Sequence, residues 1–211
     1  SPERMDLSEI PNNRFCLPDA DSAKEAEHYL DQKIAECDSV GGVVECVISG
    51  LPTGLGEPVF EKLDANLAKA ILSIGAVKGF EIGDGFAATK ACGSENNDEF
   101  RMDGDKIVKE TNHAGGVLGG ISDGSDVIFR AAFKPTPSIA KSQETVTKDG
   151  ENIDLVIHGR HDPVVVPRAV VVVESMAAIT AMDMLLMSMT SRLDLIQMFF
   201  QVENVDDSPE Q

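Results

Sequence analysis

The run from Val164 to Met189 is the most apolar part of the chain, and it constrains the fold more than any other segment. Pro167, Arg168, Glu174 and Asp183 interrupt it. At a bilayer centre each of those charges would cost about 2.5–3.5 kcal/mol, so a packed helix over residues 168–190, central and buried, is the better reading than a membrane span. With 42% hydrophobic residues in 211, the chain carries enough apolar material for one large core or two small ones. Such a helix then needs sheets and further helices to cover it.

Those elements are legible. Ser22-Ala23-Lys24-Glu25 reads as a capping box, after which Ala23, Ala26, Leu30 and Ile34 recur at helical spacing. Val43 to Ile48 and Val77 to Ile82 read as strands, Asp64 to Ile74 as a helix, and Gly93 to Asp105 as a polar, mobile loop. From Asp126 to Phe133 the chain alternates, with Val127, Phe129, Ala131 and Phe133 on one face and Arg130 on the other. Thr145 to Thr147, Asp149-Gly150 and Ile153 to Ile157 form a hairpin pattern around a turn that tolerates positive φ. Residues 1–20, with Pro2, Pro11 and Pro18, read as a poorly structured lead-in, and 201–211 as an acidic, disordered tail. The body is 21–200. Strands and helices mix without βαβ regularity, which gives an α+β class with antiparallel or mixed sheet packed on helices.

Charge narrows function. Eighteen basic against 36 acidic residues leave a net charge of −18, which argues against sequence-independent binding of nucleic acid or an anionic membrane. No Trp and one Tyr make base-stacking platforms unexpected. Cys16, Cys37, Cys46 and Cys92 have no CxxC spacing, and Cys46 sits in an apolar run as a small hydrophobe, so a reducing, cytoplasmic setting is expected. Residues 1–15 have no apolar signal-peptide core. The absence of an initiator Met suggests a chain cut from something longer or bearing a tag remnant. No grouping of His, Cys and carboxylates has metal-ligand spacing.

Three segments can carry chemistry. Asn112 to Gly124 holds five glycines in ten residues, free to lie against a flat or anionic ligand, although composition alone favours a tight packing turn. Phe133-Lys134-Pro135-Thr136-Pro137-Ser138 offers a cation and two hydroxyls to a phosphate, or else a strand leaving the sheet with Lys134 solvated; the two readings stand level. His158-Gly159-Arg160-His161-Asp162-Pro163 offers a guanidinium fork, an imidazole that titrates near neutrality and a carboxylate. The alternative there is the start of the long helix, with Asp162 as N-cap and Pro163 first in the helix.

Taken in order, these segments resemble the chorismate synthase family. The matching stretches are Gly41 to Glu45, Gly54 to Phe60, Ala76 to Gly79 leading to Glu81 to Phe86, Asn112 to Gly116 with Gly119 to Ser122, Phe133 to Ile139, and Gly159 to Pro163. Each is weak alone; their order over roughly residues 10–190 is specific. The resemblance is to the C-terminal portion. The Gly-Glu-Ser-His-Gly and Ser-Ala-Arg-Glu-Thr motifs of the family's N-terminal part, where two acid histidines lie, do not occur here, and Val164 stands where many members have Cys. The resemblance implies part of a β/α/β sandwich, with antiparallel sheets around a helical layer, and a homotetramer. It also implies 1,4-anti elimination of phosphate from 5-enolpyruvylshikimate 3-phosphate, giving chorismate and requiring reduced FMN. Carried over by motif, FMN contacts fall on Gly75, Ala76, Gly119, Lys134, Pro135, Thr136, Pro137, Ser138 and Arg160. Arg160 also lies near the substrate phosphate, and Asp162 handles the proton at the flavin. On this basis Gly119, Lys134 and the trio Arg160-His161-Asp162 should converge on one cavity shaped for a tricyclic cofactor. The missing motifs leave a second reading, a catalytically incompetent fragment acting only as a flavin-binding or assembly module.

Overall fold

Alternation along one strand organises the molecule. In the computed structural model, which describes residues 5–159 and 161–200, the elements run α1 (Ala20–Ala35), β1 (Gly42–Ile48), α2 (Leu63–Leu72), β2 (Val77–Ile82), β3 (Phe100–Asp103), β4 (Lys106–Lys109), β5 (Val117–Leu118), β6 (Ile121–Ser122), β7 (Val127–Phe133), β8 (Gln143–Val146), β9 (Asn152–Leu155), α3 (Val166–Thr190) and α4 (Leu193–Phe200). β7 is the middle strand of a three-stranded antiparallel sheet ordered β1-β7-β2. Its Val127, Phe129, Ala131 and Phe133 are buried, and Phe129 stacks on Phe80 with ring centroids 5.3 Å apart. On the opposite face Arg130 is held between Glu45 (2.9 Å) and Glu81 (3.0 Å) from the two flanking strands.

The buried face is covered by α2, through Leu63, Leu67 and Ile71, and by α3, through Ala169, Val173 and Ala177. Burying Leu63, Leu67, Ile71 and Val173 contributes about 1.5–3 kcal/mol each, which holds both helices on one side of the sheet. The class is therefore α+β: one antiparallel sheet backed by helices, with three separate two-stranded hairpins, β3–β4, β5–β6 and β8–β9.

Several expectations are corrected. α1 is not started by a capping box at Ser22. Asp19 caps it, its carboxylate accepting the N–H groups of Asp21 (2.9 Å) and Ser22 (3.3 Å) and the Ser22 hydroxyl. An ionised carboxylate complements the helix N-terminus better than a hydroxyl. The polar 93–105 segment contains β3, paired with β4, so it is not loop throughout. Within the lead-in, Leu7–Asn12 forms a 3-10 turn, and Asn13 ties it to the residues after it: the Asn13 side chain bonds Glu9, Phe15 and Leu17. The long helix begins at Val166, with Pro167 in its first turn; Asp162 does not cap it. Val40 holds the preceding residues extended, donating its N–H to the Pro163 carbonyl (2.8 Å) and bridging to Val164, so the helix starts later. α3 is also not buried all round. One face packs on α2 and β1, while Val171, Ile179, Met182, Leu186 and Met189 are exposed. By length and composition alone it passes as a membrane-crossing helix. Residues 201–211, the expected acidic tail, lie outside the described residues.

Candidate active site

Three segments far apart in sequence meet at the end of the sheet where β7 finishes and β1 and β2 begin. The Lys134 N–H donates to the Ala76 carbonyl (2.9 Å), which places Gly75-Ala76 beside the Lys134–Ser138 strand exit. The Ser39 hydroxyl donates to the Thr136 carbonyl (2.6 Å), and Lys141 pairs with Asp38 at 2.6 Å. Val40 then ties on Pro163, and with it Asp162. Closeness here depends on Gly41. A Cβ at that position would lie 2.3 Å from the Phe133 carbonyl oxygen, a backbone atom that cannot yield. Ala76 has φ +71°, a left-handed conformation that costs a residue with a Cβ about 1–2 kcal/mol. Strain of this kind concentrates at functional positions.

The side chains at this end suit an anion. Lys134 is exposed and makes no ion pair with the described residues, while the hydroxyls of Thr136 and Ser138 stand close in sequence and partly buried. The Asp162 carboxylate, about half exposed, accepts a hydrogen bond from the exposed Arg168 in the first turn of α3. The His161 imidazole donates from Nε2 to the Ile157 carbonyl (3.1 Å); a carbonyl only accepts, so Nε2 carries the proton. Arg160 lies outside the described residues. Arg168 carries no sequence signal for this role. Its partner is six residues away, a spacing that lies outside the i,i+3 and i,i+4 pairs of a helix.

Gly119 lies elsewhere. The glycine-rich segment packs at the far end of the sheet, where Gly115 and Gly83 meet backbone to backbone. Both have positive φ, and a Cβ on Gly83 would fall 2.1 Å from the His113 carbonyl oxygen. Gly119 (φ +60°) sits at the tip of the β5–β6 hairpin with open space where a Cβ would go. Its neighbour Gly120 accepts the N–H of Leu63 at the start of α2, whereas Gly75 follows the end of α2. Ten helical residues at about 1.5 Å each put about 15 Å between the two ends. The bonds that join Gly75-Ala76, Lys134 and Asp162 do not include Gly119, which lies beside the start of α2 while Gly75 follows its end. A cavity of about 470 Å³ beside the hairpin is lined instead by Asn96 to Phe100, Ala114 and Leu118.

A buried polar network with no counterpart in the sequence motifs holds the glycine-rich segment in place. Asp98, with 3% of its side chain exposed, accepts the N–H groups of His113 (2.8 Å) and Ala114 (3.0 Å), the Thr111 hydroxyl (2.7 Å) and His113 Nδ1–H (3.0 Å). Lys109, 2% exposed, reaches Asp98 (3.3 Å), Asp123 (2.7 Å) and Asn112 (3.0 Å). Burial opposes charge on both aspartates. Hydrogen bonds from Ala114, Thr111 and His113, with Lys109, nonetheless hold the Asp98 carboxyl far below the usual range, and Lys109 and Ser125 lower that of Asp123. The Ser122 hydroxyl donates to the Pro52 carbonyl (2.6 Å) and accepts the Leu55 N–H (2.8 Å), anchoring the other side.

A family model for chorismate synthase matches residues 4–186. The chain belongs to the chorismate synthase family. A chorismate synthase of Agathobacter rectalis is 63% identical over 197 residues, covering 93% of this chain and 54% of that protein. One of Lachnoclostridium phytofermentans is 63% identical over 188 residues, covering 89% and 51%. A crystal structure of chorismate synthase superposes with a TM-score of 0.71 at 31% identity, covering 86% of this chain and 48% of that one. The chain thus spans about half the length of the relatives it matches.

Proposed function

We propose that this chain is part of an enzyme that eliminates phosphate from 5-enolpyruvylshikimate 3-phosphate to give chorismate, the last step of the shikimate pathway, with reduced FMN as cofactor. Family membership supports the reaction, and one geometric observation supports the site: the bonds Lys134 N–H to Ala76 and Val40 N–H to Pro163 gather three of the segments carried over by resemblance at one end of the sheet. The donor set fits the cofactor. Lys134 is an exposed cation without an ion pair among the described residues, a Cβ at Gly75 would meet nothing within 4 Å, and two hydroxyls stand nearby. Lys134, Thr136 and Ser138 would hold phosphate oxygens, and Gly75-Ala76 would let a flat ring approach the backbone. Arg160 joins this group by resemblance. Reduced FMN, when bound, lends electron density to the departing phosphate. Asp162, paired with Arg168, holds or moves the proton. The reading extends to a cytoplasmic homotetramer, in keeping with the four free thiols.

In a full-length protein carrying this chain, Asp162→Asn should lower turnover by about 10²-fold or more, the scale of one general acid–base group, and leave FMN affinity within a few-fold. Turnover equal to the parent's would remove Asp162 from the reaction. The separation of Gly119 from Lys134 favours a companion reading for the isolated chain: it binds flavin or assembles, and does not turn over.

A further inference from the structure

The strand exit after β7 is tied down from one place. Pro135 and Pro137 have no N–H to donate, and among the described residues the stretch 135–142 makes no backbone–backbone hydrogen bond. Two side-chain bonds hold it instead. The Ser39 hydroxyl donates to the Thr136 carbonyl (2.6 Å), and Lys141 donates to the Asp38 carboxylate (2.6 Å). The two partners are consecutive residues, 97 and 103 positions earlier in the chain. They are themselves fixed. α1 ends in a left-handed Cys37 (φ +57°), whose N–H returns to the Ile34 carbonyl (3.0 Å), and the Asp38 N–H returns to the Lys33 carbonyl (2.9 Å), the double closure of a Schellman cap. The Ser39 N–H donates to the Asp38 carboxylate (2.8 Å). Just beyond, Val40 is held by the Pro163 carbonyl (2.8 Å), and Gly41 lies too close to the Phe133 carbonyl oxygen for any side chain.

We propose, on the FMN site assigned above, that Ser39 is a positioning residue for the flavin phosphate, assisted by the Asp38–Lys141 pair. By fixing the Thr136 carbonyl it holds the Lys134 ammonium and the Thr136 and Ser138 hydroxyls ready for one phosphate group. A largely exposed exit loop without backbone bonds otherwise samples many conformations, and ordering it on binding lowers affinity. The one hydroxyl proton of Ser39 is engaged by Thr136, so Ser39 acts through the loop and not on the anion itself. Asp162 is tied on through the backbone bond of Val40 to Pro163, which a side-chain change at Ser39 leaves in place. Grip on the phosphate and turnover therefore separate.

Flavin affinity with and without the phosphate tests the assignment. In the full-length protein carrying this chain, reduced FMN and reduced riboflavin, which lacks the phosphate, are titrated anaerobically. Ser39→Ala should weaken FMN binding by about 3- to 10-fold, the weight of one hydrogen bond, and leave both riboflavin affinity and turnover at saturating FMN within about two-fold of the parent. Ser39→Thr keeps the hydroxyl and should bind FMN as the parent does. Lys141→Met releases the loop's other tie without altering residues 38–41 and should reproduce the FMN-only loss. Equal weakening of both flavins, unchanged FMN affinity, or Thr as weak as Ala overturns the proposal. Lys134→Ala separates the positioning role from the site. FMN affinity lost in Lys134→Ala but not in Ser39→Ala overturns the positioning role alone, whereas FMN affinity unchanged in Lys134→Ala removes the phosphate site and the positioning role together.

Discussion

Lys109 is an ammonium group almost sealed from water between Asp98 and Asp123. Removing one member of a buried ionic group leaves its partners' charge uncompensated, which costs about 3–5 kcal/mol. Lys109→Ala should therefore lower the unfolding free energy by about that much in urea titrations, and a loss below about 1 kcal/mol would show that the network is not stabilising. The same carboxylates set a pH dependence. Their folded-state pKa values lie below the unfolded value near 3.9, so their stabilisation is complete above about pH 4 and is lost as pH falls further. Asp98→Asn should flatten that acid limb. None of this was legible in the sequence. The partners are drawn from residues 98–123, a stretch whose first part reads as polar loop, and only the β3–β4 pairing, which sets Phe100 opposite Lys109, brings Asp98 within reach of it. Burial at Cys46 was legible from its apolar run, and burial pushes that thiol up to about 11, beyond the range of a reactive thiolate.

Elements with strong local patterns matched their readings closely. β2 runs from Val77 to Ile82 as read, and β7 buries the four residues its alternation selected. Helix starts were less legible because they are settled by single hydrogen bonds. Asp19, not Ser22, receives the first free N–H groups of α1, and the bridge from Val40 moves the start of α3 past Asp162. Asp19→Ala should cost about 1 kcal/mol in chemical denaturation, whereas Ser22→Ala should cost clearly less. The reverse order would restore the capping box. The two-stranded β3–β4 hairpin escaped because four-residue strands of mixed polarity carry almost no periodic signal.

At the scale of the whole molecule, family and α+β class were legible from ordered motifs, while the division of the site was not. Motif order says which segments belong to one protein. It does not say that α2, about 15 Å long, would run between the end of the molecule near Gly119 and the end near Gly75. The reaction proposed above is read on a chain that spans about half the length of the relatives it matches. Chorismate formation from 5-enolpyruvylshikimate 3-phosphate, followed under anaerobic conditions with reduced FMN, tests this most directly. Product is expected from the full-length protein, with none when flavin is omitted or oxidised and none from the 211-residue chain. Product from the short chain at the full-length rate, or no product from the full-length protein with reduced flavin present, would contradict it.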